Sequence, residues 1–158
     1  MPPDVLTLAT TATANDRVEE DIKAQLGADL EVLRGRLSRE SLQLQVIHLD
    51  EQPQWLAWLR QHLSNLPGTG IIYCLTANDC RRVATWLQCK GYEVQEYHAD
   101  LSDNERVELE QQLLDNQVKA IVATVALGMG FDKPDIRFVI HYQKPGIGYS
   151  TWIGVYKD

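Results

Sequence analysis

Residues 122–142, VATVALGMGFDKPDIRFVIHY, set two apolar runs, 120–124 and 138–142, around a loop carrying Thr124, Gly128, Gly130, Asp132 and Lys133. Each of these residue types has a use at a phosphorylated ligand. The Thr124 hydroxyl can donate to a phosphate, and so can backbone N–H groups exposed in a glycine loop. Gly128 and Gly130 permit close approach of the backbone to a ligand, or a positive φ. Asp132 can accept hydrogen bonds from ribose hydroxyls, Lys133 can pair with phosphate, and Pro134 stiffens the return. On spacing alone, an ordinary strand-to-strand connection whose glycines merely turn the chain fits equally well.

The elements around the loop narrow the choice. Val18, Ile22 and Leu26 fall at fourfold spacing, predicting a helix that Gly27 stops, with Thr13 and Asp16 as a capping pair. Residues 28–42 are charged and lack a clear period, which predicts mostly loop. Residues 44–49 form a strand candidate. Trp55, Leu56, Leu59 and Leu63 mark a helical face that Pro67-Gly68 terminates, and Asp50 is placed to cap it. Next come a strand at 71–75 and a helix with Cys80, Val83, Ala84 and Leu87 inward, ended by Gly91. A strand at 94–97 follows, then a capping box Ser102-x-x-Glu105 opening a helix to about Asp115. Strands at 120–124 and 138–141 complete the series. Near-continuous apolar strands alternating with helices predict an α/β fold, a parallel sheet covered on both faces. Ligands on such sheets bind beyond the carboxyl ends of the strands.

Totals exclude several classes. At 158 residues, 44% hydrophobic and 23% charged, the composition is that of a soluble globular domain with a real core. A net charge of −7 supplies no global field toward nucleic acid, so any DNA contact must be local. No apolar run reaches membrane-spanning length, and the N-terminus lacks a signal-peptide pattern, which predicts an intracellular protein without a membrane partner. Three cysteines without CxxC spacing argue against structural zinc or a disulfide framework.

The segment 122–145, VATVALGMGFDKPDIRFVIHYQKP, resembles motif V of RecQ-family DNA helicases nearly residue for residue. GIIYCLT (70–76) resembles their motif IV, and EYHADLSDNER (96–106) the stretch between. ATTATANDRVEEDI (9–22) resembles motif III and the helix after it, which in that family close the first RecA-like lobe. The resemblance runs from about Leu6 to Pro145 in the family's order. A DEAD-box RNA helicase fits less well, because its loop is usually Arg-Gly-x-Asp, without the Met-Gly and Lys-Pro present here.

The resemblance implies a RecA-like helicase C-terminal lobe, incomplete, within a 3′–5′ DNA helicase of recombination and repair that binds ATP between two lobes. By position, Gly128, Gly130 and Asp132 would face the nucleotide, with Asp132 near the ribose. Thr76, His98 and Thr124 would lie along the DNA. Thr11, Ala12 and Thr13 would couple ATP state to DNA. The implied division is a remnant of the first lobe at 1–27, a connector at 28–43, the second lobe at 44–145 and a divergent tail at 146–158, in an enzyme located in the cytoplasm, nucleoid or nucleus.

Phosphoryl transfer also needs a lysine-bearing phosphate loop, a Mg²⁺ carboxylate, a group that orients water and an arginine finger. The sequence contains no GxxxxGK[ST], and no arginine follows Arg137, where the family's Gly-Arg-Ala-Gly-Arg would stand. VIHLDEQP (46–53) mimics a Mg²⁺-binding strand end but lies after motif III and has no lysine loop. No residue is therefore assigned a catalytic or metal-binding role. The chain is expected to be inactive alone, to need ATP and Mg²⁺ only when a first lobe is supplied, and to bind DNA weakly. The alternative is a non-catalytic module that associates with a protein carrying the ATP-binding lobe. Asp100 replaces the glycine usual in the YHAGL element, which puts a carboxylate near the DNA path. Ala77 stands where an arginine is common. Arg81 and Arg82 are expected on a solvated helix face, Trp55, Trp58 and Trp86 in packing, Cys74 in the core, and Tyr149, Trp152 and Tyr156 over a sheet edge.

Overall fold

A computed structural model of the chain describes residues 8–11, 15–27, 30–33, 35, 42–49, 51–128, 133–143 and 150–156, the last as backbone only. The chain divides into two compact units, Met1–Ser38 and Arg39–Asp158. In the first, α1 (Asp16–Leu26) presents Val18, Ile22 and Leu26 half-buried. Its cap is Asn15, whose side chain accepts from Val18 N–H at 2.9 Å, and not the pair expected from sequence; Thr13 lies outside the described residues.

The second unit contains β1 (Leu42–His48), α2 (Gln52–His62), a 3₁₀ turn (Leu63–Asn65), β2 (Thr69–Tyr73) and α3 (Ala77–Gln88). β3 (Val94–Tyr97), α4 (Asp103–Leu114), β4 (Ala120–Ala123), β5 (Ile136–His141) and β6 (Ser150–Tyr156) follow. One six-stranded sheet has the order β1-β6-β5-β2-β4-β3. β3, β4, β2 and β5 are parallel, as the alternating pattern predicts, whereas β6 and β1 add antiparallel strands beyond β5. The seven-residue strand β6 occupies the segment expected to be a divergent tail, and it covers the edge of β5.

The period of two divides the core. Ile72, Val122, Phe138 and Ile140 pack against Trp55 and Leu59 of α2 and Cys80, Val83, Ala84 and Leu87 of α3. Ile71, Ile121, Ala123 and Tyr97 face the other way, against Leu113 and Leu109 of α4. Helices therefore cover both faces, and the four inward residues of α3 are those its spacing predicts. Each start is locally specified. Ser102 and Glu105 form the expected capping box of α4, with Ser102 N–H donating to Glu105 Oε2 at 2.8 Å. For α2 the N-cap is Glu51 and not Asp50, which lies outside the described residues; Glu51 N–H donates to Gln54 Oε1 at 3.3 Å. Trp55 is in the core against Tyr142, with ring centroids 5.9 Å apart, and Trp58 stacks on His62 at 4.4 Å. Among the described residues no helix is long and apolar enough to cross a membrane.

β2 and β5 pack closely at Gly70. A Cβ built on Gly70 would overlap both the Phe138 ring and the Phe138 carbonyl oxygen, and the ladder register shifts at this point, between Thr69 and Gly70. Gly70→Ala should therefore cost about 1–3 kcal/mol through overpacking. Urea unfolding would show a lowered midpoint with an unchanged slope, and a variant as stable as the parent would contradict the contact.

Candidate functional site

Parallel strands end together. The carboxyl ends of β2, β4, β3 and β5 release Cys74, Thr124, His98 and Tyr142 on one edge of the sheet. Backbone bonds seal that edge: Cys74 N–H to Ala123 O (2.8 Å), Thr124 N–H to Tyr97 O (3.0 Å) and Tyr142 N–H to Tyr73 O (2.8 Å).

Thr124 is half-buried at the end of β4, and Ala126 N–H donates to its hydroxyl at 3.3 Å, starting a turn in which Leu127 N–H bonds Thr124 O. Tyr73 anchors that turn by donating its hydroxyl to Leu127 O at 2.8 Å. Its ring stacks on His141, centroids 5.4 Å apart, and burial pushes the His141 imidazole below its ordinary value. Gly128 is exposed and is not among the positive-φ residues. A Cβ there would meet only Val125 O, at 3.4 Å, so the backbone itself does not demand glycine. Gly130 and Asp132 lie outside the described residues.

Thr76 is exposed and caps α3. Its hydroxyl donates to Asp79 Oδ2 (2.8 Å) and accepts from Asp79 N–H (3.1 Å). Gln143, which sequence reading passes over, ties the ends of β2 and β5 together. Its Oε1 accepts from Leu75 N–H at 3.1 Å, and its Nε2 donates to Asp79 Oδ2 at 3.2 Å. Arg82 pairs with the other oxygen of Asp79 at 2.6 Å. An amide at this position carried no signal in the sequence, because its role depends on the register of β5 beside β2.

Three residues sit differently from what the sequence suggests. His98, expected along the DNA, is buried. Its side chain is 2% exposed, and neither ring nitrogen has a hydrogen-bond partner among the described residues. The nearest carboxylates, Glu96 and Asp100, stand 3.7 and 3.9 Å away. Asp100 is not a bare negative charge, since Arg81 binds its Oδ2 at 2.6 Å. Lys133 is buried at the opposite, amino edge, where its ammonium binds Asp135 and the Leu114 carbonyl at the end of α4. The free carbonyls of a helix C-terminus attract a cation, and that attraction wins over a role at phosphate.

Of the coupling residues, Thr11 is exposed in the first unit, and Ala12 and Thr13 lie outside the described residues. Behind the edge, burial first and then the Glu110 carboxylate, which accepts the Tyr97 hydroxyl at 2.5 Å, push Tyr97 up to about 12. The neighbouring Cys80 thiol, then burial, raise the Cys74 thiol far above its ordinary value, as suits an inert core cysteine. Arg81 and Arg82 occupy the exposed face expected of them. Concavities of about 590 and 530 Å³ lie on the outer faces of α2 and α3 around Trp86, the second reaching Asn78 and Arg81 near the start of α3, and one of about 430 Å³ lies at the amino edge around Thr69.

The helicase conserved C-terminal domain matches residues 54–153, which includes the whole parallel sheet and its carboxyl edge. The chain belongs to this family. Sequence relatives of this helicase C-terminal domain are RecQ-type, as motif V indicates. A Caenorhabditis briggsae protein named putative ATP-dependent DNA helicase Q1 is 38% identical over 144 residues, covering 87% of this chain and 23% of the relative. The Xenopus laevis RecQ-like DNA helicase BLM is 37% identical over 145 residues, covering 87% of this chain and 10% of the relative. The chain thus spans between a tenth and a quarter of the length of these two relatives. In structure, S. cerevisiae Dbp5 bound to RNA and ADP BeF3 superposes with a TM-score of 0.68 at 21% identity, covering 87% of this chain and 36% of that one. That likeness shows the RecA-like fold.

The Lys133–Asp135 pair carries a pH signature. Lys133, then Asn116, hold the Asp135 carboxyl below the ordinary carboxylate range. A depressed folded pKa stabilises the fold above the unfolded value, about 3.9, and that stabilisation is lost as pH falls through the folded value. Asp135→Asn should lower Tm at pH 7, and the difference from the parent should vanish toward pH 2. A difference that persists in acid would assign it to packing instead.

Proposed function

We propose that this chain contributes the second-lobe half of a composite ATP and DNA site in a RecQ-like 3′–5′ DNA helicase, with the first-lobe half supplied by residues outside this sequence. The observation that carries the reading is the position of Thr124, the last residue before the motif V turn, at the carboxyl edge where α/β sheets bind ligands. Two apolar side chains on the same rim, Leu75 and Val125, are 51% and 88% exposed, which suits a wall that another lobe covers.

In this reading Thr124 and the exposed N-terminus of α3 at Thr76 meet DNA phosphates, while Gly128, Gly130 and Asp132 face the nucleotide. The buried His98 supports the floor beneath. ATP brings Mg²⁺ and the transferable phosphoryl group when bound. This chain's residues orient the ribose side and the DNA backbone, and the phosphate-loop lysine and arginine finger come from elsewhere. The alternative, a non-catalytic module held by a partner that carries the ATP-binding lobe, draws on the same exposed rim.

The test is activity and binding of the purified chain. ATP turnover with single-stranded DNA should stay at background. Fluorescence anisotropy should detect weak DNA binding that falls steeply with salt. Thr124→Ala should weaken it about two- to tenfold, the loss of one hydrogen bond. Robust turnover, or DNA affinity indifferent to both salt and Thr124, would overturn the reading.

A further inference from the structure

Among the described residues β1 ends the sheet. Its neighbour on one side is β6; no described residue hydrogen-bonds to its outer side. Proteins usually guard such an edge with charge, proline, a bulge or brevity. β1 uses none of these. Its seven residues, LQLQVIH, contain no proline, lysine, arginine or carboxylate, and its ladder with β6 runs through all seven without a register shift. Leu44 and Val46, two residues apart and so on one face, are 67% and 40% exposed.

We propose that this edge pairs with the same edge of a second copy of the chain, antiparallel and centred on Gln45. Antiparallel pairing keeps residues of equal parity opposite one another, so the strand is complementary to itself. Leu44 of each copy then stands across from Val46 of the other, and Gln45 meets Gln45 on the opposite face. Gln43 pairs with Ile47, Leu42 with His48, and no two like charges meet. The two-fold operation uses the edge once per copy and closes at a dimer. A chain of net charge −7 gains from an uncharged contact, because strand addition draws on backbone hydrogen bonds and two apolar pairs.

The contact is small. Seven residues extend about 24 Å, and a single added strand buries less than the roughly 800 Å² per partner of stable complexes. Dissociation is therefore expected between about 1 µM and 1 mM.

Sedimentation velocity of the purified chain from about 1 µM to 1 mM should show a shift from monomer to dimer. Leu44→Lys with Val46→Lys sets lysines opposite lysines, and Leu44→Glu with Val46→Glu does the same with carboxylates. Each double variant should fold, by circular dichroism, because both positions are exposed, and each should stay monomeric. An equal mixture of the two should dimerise, since the proposed register places every lysine across from a glutamate. A parent that stays monomeric throughout, a dimer that survives the lysine changes, assembly beyond a dimer, or a mixture that fails to associate would each overturn the proposal. Binding of the edge to an unrelated chain, with no self-association, would do so as well.

Discussion

Parallel pairing on both sides of β2 governs what this structure can present. β4 and β5 flank β2 in the same direction, and β3 joins beyond β4, so four chain segments leave the sheet at one edge. That arrangement requires close approach at Gly70, where β2 passes the Phe138 ring and carbonyl with no room for a methyl group. If β5 were held away from β2, the bonds from Tyr142 to Tyr73 and from Gln143 to Leu75 would be lost, and with them the alignment of the rim.

The same topology explains why one loop does two jobs. β4 ends at the carboxyl edge and β5 begins at the amino edge, so the connection from Thr124 to Asp135 must return the length of the strands, from one edge to the other. Its first part, Thr124–Gly128, is held at the rim by Tyr73, and its last part, from Lys133, is pinned against the end of α4. In sequence Thr124 and Lys133 each have a possible use at phosphate. In space they stand at opposite edges, and Lys133 neutralises a helix terminus and Asp135.

Most of the framework was legible because it rests on local rules. The period of α3, the capping box at Ser102 and Glu105, and the β-rich runs of β2, β3, β4 and β5 each lie within a dozen residues of chain. Long-range facts were not. β6 is rich in β-forming residues, STWIGVY, but its departure from the family pattern hid that signal, and its antiparallel pairing with β1 joins positions more than a hundred residues apart. The site divides in the same way. The strand pattern put Thr124 at a carboxyl end of the sheet, whereas the burial of His98, the masking of Asp100 by Arg81 and the bridging role of Gln143 depend on neighbours far along the chain.

Together these features describe an open wall. Its polar groups are anchored from behind, and its apolar Leu75 and Val125 face outward. The most direct measurement is an amide NMR titration of the chain with single-stranded DNA. Shifts concentrated on Thr76, Ala77, Val125, Ala126 and Gly128, with Thr69, Lys119 and Arg137 at the opposite edge unmoved, are what the account predicts. Shifts gathered at that opposite edge, or absent at millimolar DNA in low salt, would contradict it.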